Sequence, residues 1–166
     1  GDGELVRSVI KELRGIEGMT IRTTAIVGFP TETEEEFTEL CEFIKEAELE
    51  RFGAFTYSRE EHTPAYNFEG QIDEEIKQER YDIIMRTQSY VSEKQAKKAL
   101  GSVLEVIYEG YDPILEKHKG GDYKNAPEID GVIFFDTKGK HEIGDFIKVK
   151  ITDFDEEFYD LIGEEI

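Results

Sequence analysis

Few side chains in this sequence can do chemistry unaided. The chain has one cysteine, Cys41, so no disulfide can form within it and no cysteine-ligated cluster or zinc site can be assembled from it alone. Its histidines, His62, His118 and His141, stand far apart and none falls in a His-x-x-x-His spacing, so no metal site is expected. What remains is a binding signal. The stretch IRTTAIVGFPTETEEEF, residues 21–37, reads as a strand, a glycine-proline turn and the start of an acidic helix. A strand ending in such a turn is where α/β proteins place ligands. The same residues also read as a plain core strand with a helix cap. Cys41 lies on the apolar stripe of the following helix and reads as a core residue. His62 reads as a solvated loop histidine.

The elements that must position this turn follow from periodicity. Residues 4–14 place Leu5, Val6, Val9, Ile10 and Leu13 on one helical face, ended by Gly15 and Gly18. MTIRTTAIVGF is rich in β-branched residues, with the nearly continuous apolar end of a parallel strand covered on both faces. Thr33 with Glu36 forms a capping-box pattern, and Glu34–Glu36 suit the positive end of a helix dipole. Phe37, Leu40, Cys41, Ile44 and Ala47 then recur at helical spacing, and RFGAFTYS (51–58) predicts a second strand. Helix, strand, helix, strand predicts α/β structure with parallel strands. A loop over 59–70 is marked by Pro64 and Gly70. From Asp73 to about Leu100 a polar stretch with a ragged apolar side (Ile76, Tyr81, Ile84, Met85, Val91) predicts one long helix, broken at most once, bridging two domains. After Gly101, the segments SVLEVIYEG, EIDGVIFFD, GDFIKVKITDFD and EFYDLIGEEI predict a small antiparallel barrel of about five strands.

Composition narrows the partners. The 166 residues carry 39 acids against 20 bases, a net charge of −19, and both halves are acidic. Such a surface repels phosphate backbones and attracts basic partners, though acidity also serves solubility alone. No apolar run is long enough to cross a bilayer, and no signal-peptide pattern opens the chain; a cytoplasmic location is expected. The chain opens without Met and inside a helical pattern, which predicts a piece of a longer protein.

Four stretches together resemble one family: RTTAIVGFPTETEEEF, FGAFTYSREEHTPAYNF, YDPILEKHKGGDYKNAPEIDGVIFF and IGDFIKVKITDFDEEFYDLIGE. They look like the C-terminal half of the radical S-adenosylmethionine methylthiotransferases, in the branch that adds a methylthio group to an aspartate β-carbon of a small-subunit ribosomal protein. The resemblance implies that residues 1–70 are the C-terminal part of a radical SAM partial (β/α) barrel. It makes residues 71–99 a linker helix and residues 100–166 a TRAM substrate-recognition β-barrel of OB-like form. It implies S-adenosylmethionine and two [4Fe–4S] clusters in the full-length family, the cluster cysteines being absent from this chain. Cofactor contacts are then expected from Arg22, Gly28, Phe29, Pro30, Phe55 and Tyr57, with Gly28 allowing close backbone approach and Phe55 or Tyr57 meeting the adenine. Substrate docking is expected from Glu60, Glu61, Asp112, Asp122, Glu128 and Asp130. No catalytic residue is expected within the chain, and the chain alone should be inactive. It departs from the family pattern where Gly usually stands, at Thr31 and His62, and where Arg-Thr usually stands, at Gly121-Asp122. A positive backbone angle is less comfortable for Thr31.

Three functions compete. The first is a methylthiotransferase acting on a basic ribosomal protein. The second is the tRNA-modifying branch, whose barrel should carry a basic stripe; residues 101–166 hold seven lysines against seventeen acids, which makes RNA binding a poor fit. The third is a non-catalytic acidic protein-binding module.

Overall fold

The structure is a computed structural model that describes residues 3–126 and 130–166. The chain divides into two compact units, one running to Val91 and the other from Ser92.

The first unit begins with α1 (Gly3–Leu13), followed by β1 (Arg22–Val27), α2 (Glu34–Ala47) and β2 (Arg51–Thr56). The strands pair in parallel, from Arg22 opposite Arg51 to Val27 opposite Thr56. The capping box forms as the sequence predicts: Glu36 N–H donates to Thr33 Oγ1 at 3.2 Å, and Thr33 N–H donates to Glu36 Oε2 at 2.9 Å. The other end of α2 is closed from outside. Arg14 donates to the carbonyls of Ala47 and Glu48 at 3.0 and 2.9 Å, placing a cation on the negative end of that helix. A 3₁₀ turn at Pro64–Asn67 precedes α3 (Glu74–Ala99), which is unbroken and about 39 Å long at 1.5 Å per residue.

The core of this unit gathers Val27, Phe37, Ile44, Ala54, Ile84 and Val91, with Leu40, Cys41, Phe52 and Tyr81 packed against it. Cys41 is thus a half-buried packing residue, and burial pushes its thiol above the ordinary value. Two expectations are corrected. β1 is covered on one face only: Thr23, Ala25 and Val27 alternate inward, while Arg22, Thr24 and Ile26 are exposed. The apolar stripe of α1 is not buried either, since Leu5, Val6 and Val9 remain exposed. Arg7 ties that helix to α2 instead, through Glu39 and Glu46.

The second unit is a closed barrel. Its strands are β3 (Val103–Asp112), β4 (Lys117–Gly121), β5 (Ile133–Asp136), β6 (Phe146–Phe154) and β7 (Leu161–Glu165), in ring order β3-β4-β5-β7-β6. Gly101, at φ +79°, ends α3 just before it. The expected small antiparallel barrel of about five strands is present with one parallel seam: β5 and β7 pair in parallel, while the other neighbours are antiparallel. The reason is parity. Strands alternating in direction can close a ring only in even number, so five strands need at least one parallel seam. β-Bulges between Tyr108 and Gly110 and between Ile151 and Asp153 bend the long strands. The interior is filled by Val106, Tyr108, Ile133, Phe135, Ile147, Val149 and Ile151, the inward-alternating residues. β4, KHKGG, gave no strand signal in the sequence because it has no apolar residue. Its Gly120 is needed for close approach, since a Cβ there would lie 2.2 Å from the Ile107 carbonyl oxygen.

Candidate functional site

β1 and β2 end side by side, and the turns beyond their C-terminal ends form the candidate site. Phe29 through Glu32 make a tight turn closed by Glu32 N–H donating to the Phe29 carbonyl at 3.0 Å. Proline at its second position and a positive φ of 76° at its third, Thr31, are the pattern of a type II turn. That third position ordinarily demands glycine. The same holds at Glu60–Thr63, where Thr63 N–H meets the Glu60 carbonyl and His62 has φ 67°. The two places where the sequence departs from the glycine-bearing family pattern are therefore both left-handed. Thr31 is the costlier, being β-branched. Thr31→Gly is expected to stabilise the chain by about 1 kcal/mol, the order of the left-handed penalty it removes. Denaturant midpoints would show it, and a lower midpoint for T31G would refute the strain.

The turn is held by buried charge. The Glu32 carboxylate accepts from Gly28 N–H at 3.0 Å and from Arg80 at 2.7 Å. Arg80, on α3, also reaches the Glu32 carbonyl at 3.2 Å, the Glu34 carboxylate and the face of Phe37. Burial works to lower the Arg80 pKa, and the two carboxylates more than offset it, so the net direction is upward. Lys77, 2% exposed, passes beneath Gly28 to sit over the Tyr57 ring at 5.3 Å and pair with Glu74. Neither Lys77 nor Arg80 was singled out from sequence, because both lie in a polar stretch.

The six expected cofactor residues divide. Phe29 is exposed and packs edge-on against Tyr57 (5.2 Å) and Phe68 (6.1 Å). Phe55, 65% exposed, stands in register beside Ile26, 57% exposed, on the uncovered sheet face. Gly28, Pro30 and Tyr57 are buried. The room that Gly28 provides is taken by Lys77, whose Cγ would be 2.4 Å from an added Cβ, and not left for a ligand. The Tyr57 hydroxyl is buried without a hydrogen-bond partner. Arg22 stands at the opposite end of β1, about 20 Å from the turn at 3.3 Å per residue. Gly28, Phe29, Pro30 and Tyr57 thus gather at the turn, Phe55 stands beside Ile26 on the open sheet face, and Arg22 stands apart.

The expected docking residues are also scattered. Glu60 and Glu61 are exposed in the loop after β2, and Glu60 accepts from Ser58 Oγ at 2.6 Å. Asp112 caps the β3–β4 turn, accepting from Ile114 and Leu115 N–H at 2.9 and 3.1 Å. Those backbone bonds, Leu115's first, hold its carboxyl below the usual range. Asp122 is buried and accepts from Lys124 N–H, while Asp130 accepts from Ala126 N–H, so both carboxylates are engaged by nearby backbone amides. Glu128 lies outside the described residues. Sequence reasoning passed over the exposed apolar residues of the barrel, Ile114 at 89% among them. It also passed over a cluster in which His118 and His141 both come against the Tyr108 ring, at 5.6 and 5.8 Å. His118 Nδ1 bonds the Tyr108 hydroxyl at 2.9 Å, and His141 Nε2 meets Thr137 and Glu165. A hydrogen bond from Thr137 is the main cause that lowers the Glu165 pKa. Among the described residues, no group of three or more His, Cys, Asp or Glu is placed to hold a metal ion, and no helix is long and apolar enough to cross a membrane.

Residues 100–166 match the TRAM domain. Over 161 residues the chain is 48% identical to the ribosomal protein uS12 methylthiotransferase RimO of Clostridium botulinum (strain Okra / Type B1), covering 96% of this chain and 35% of that protein. The corresponding protein of Geotalea uraniireducens (strain Rf4) is 45% identical over the same shares. That of Thermoanaerobacter sp. (strain X514) is 45% identical over 159 residues, 96% of this chain and 36% of the relative. A solved structure, the apo form of Mycoplasma genitalium RNase R, aligns with a TM-score of 0.34 and 16% identity over 56% of this chain and 18% of that one, a likeness that carries no argument. The chain spans about a third of the length of the curated relatives it matches. Over that span it belongs to the RimO methylthiotransferase family and carries a TRAM domain at residues 100–166.

Proposed function

We propose that this chain is the part of a radical S-adenosylmethionine methylthiotransferase that borders the cofactor and recognises the substrate, a basic protein of the small ribosomal subunit. The observation that carries the reading is the uncovered apolar platform of Ile26 and Phe55 at the C-terminal ends of two parallel strands, with exposed Phe29 just beyond. A flat apolar surface of this kind suits a purine ring, as ligand sites at the ends of parallel strands do. Phe29 and Phe55 would meet the adenine; Gly28, Pro30 and Tyr57 shape the turn that presents Phe29. S-adenosylmethionine, when bound, supplies the radical and methyl chemistry of methylthio transfer. Iron–sulfur clusters do not fit the residues present, since Cys41 is the only thiol and it packs against the core. No step is assigned to them, and the chain alone is expected to be inactive. A ribosomal substrate places the work in the cytoplasm.

Partner choice rests on charge. The barrel's seven lysines and seventeen acids favour a basic protein and disfavour the tRNA-modifying reading. Exposed Glu60 and Glu61 and half-buried Asp112 are the expected docking acids available to it, each worth little singly, on the order of 0.2–1 kcal/mol. The test is a titration of the chain with ribosomal protein uS12 and, separately, with tRNA, at low and moderate salt. Preferential binding of the protein, weakening as salt screens it, is expected. Equal or tighter binding of tRNA would overturn the assignment.

A further inference from the structure

Lys77 and Arg80 are three residues apart on α3, so they share one side of the helix. From there they grip the Gly28–Glu32 segment at two points. The Lys77 stem fills the space under Gly28: an added Cβ would come within 2.4 Å of its Cγ and 3.2 Å of its Cβ and Cδ. Its ammonium continues to the ring of Tyr57, the residue against which Phe29 packs. Arg80 holds the other end, bonding the Glu32 carboxylate, the Glu32 carbonyl and Glu34. The same Glu32 oxygen takes the Gly28 N–H. Both ends of the segment thus converge on one carboxylate, and that carboxylate is fixed to α3.

We infer that Lys77 and Arg80 are positioning residues, which set where the strand-end turn presents Phe29 to the cofactor; this rests on the reading of that turn as a cofactor border. Stability alone does not account for them. Burying two cations carries a desolvation cost that well-packed apolar side chains of similar volume avoid. The cluster is also incompletely satisfied, since Arg80 Nε and the Tyr57 hydroxyl are buried without hydrogen-bond partners. An apolar contact would hold α3 to the sheet but would leave the turn free to slide. A planar guanidinium with directed donors fixes a carboxylate in angle as well as distance.

The chain has no tryptophan, so Phe29→Trp creates a single reporter at the turn. In that background, Arg80→Met removes the charge and the fork, Arg80→Lys keeps the charge and loses the fork, and Lys77→Met keeps most of the stem and loses the charge. Acrylamide quenching of the new tryptophan is read beside far-ultraviolet helicity. Both Arg80 variants are expected to raise quenching by roughly twofold or more with helicity unchanged, as a local loosening does; Lys77→Met should raise it less. Quenching that stays at the parent value in Arg80→Lys, while the melting temperature falls, would overturn the inference in favour of simple stabilisation. If Arg80→Met fails to fold, Arg80→Lys decides alone. Titrating S-adenosylhomocysteine into the unsubstituted chain by calorimetry tests the cofactor reading separately. Saturable binding is expected. An absence of binding overturns the cofactor border and leaves the clamp to be judged by the Arg80 variants.

Discussion

Phe135→Ala is expected to cost the barrel about 3–5 kcal/mol, the range for deleting a fully buried aromatic side chain. Phe135 is completely buried among Val106, Tyr108, Ile133, Ile147, Val149 and Ile151, and its ring meets Tyr108 edge-on at 6.3 Å and His118 at 6.2 Å. Removing it opens a cavity in a closed ring of strands, where no single element can move inward without breaking its ladders. Native-state hydrogen exchange is the suitable measurement, because it reads the barrel separately from the first unit. Protection at Val106 and Val149 should fall by about two to three and a half orders of magnitude, at about 1.4 kcal/mol per decade. A loss below tenfold would mean that the barrel collapses around the gap far more readily than its closure implies.

Gly28→Ala is expected to cost about 2–5 kcal/mol for two separable reasons. One is the backbone: φ at Gly28 is +74°, which costs an alanine about 1–2 kcal/mol. The other is space: the new Cβ would lie 2.4 Å from Lys77 Cγ, an overpacking worth about 1–3 kcal/mol. A double-mutant cycle with Lys77→Ala separates them. With the lysine stem shortened, the 2.4 Å contact with Cγ is gone and only the 3.2 Å contact with the β-carbon is left, so the steric share should fall while the backbone share remains, and the two substitutions together should cost less than their sum. Strict additivity would show that Lys77 does not press on Gly28, and the clamp formed by Lys77 and Arg80 would lose its nearer point of contact.

How far the sequence could be read depended on what each element buries. β3, β5 and β6 were legible because their inward residues are apolar and alternate, and α2 because Thr33, Glu36 and its stripe agree with one another. β4 was not, because its inward position is Gly120 and a glycine gives no hydrophobic period. In α3 the length was legible and the buried face was not. Up to Val91 the buried positions are Lys77, Arg80, Ile84, Gln88 and Val91, three or four residues apart on one helical face, but the first two are charged and one is an amide. The expected apolar side included Ile76 and Met85, which face solvent. At the site, the turn at Gly28–Pro30 was found from its residues, while its supports lie about fifty residues further along the chain, and no local pattern joins them. The open face of β1 went unforeseen because an apolar run looks the same whether one face or both are covered.

The parallel seam forced by the odd strand count has a consequence for how the barrel is made. β7 is the strand on both sides of which the ring must be sealed, to β5 in parallel and to β6 in antiparallel. Before it is available, β5 has only β4 as a neighbour and β6 only β3, so the chain is an open ribbon of four strands with two raw edges. Pairing across such separations is paid in loop entropy before any core is sealed. During synthesis, the barrel would therefore stay unsealed, its apolar lining wet, until Leu161–Glu165 have cleared the ribosomal exit tunnel. That short strand acts as a keystone, so that its emergence and the closure of the domain become one event.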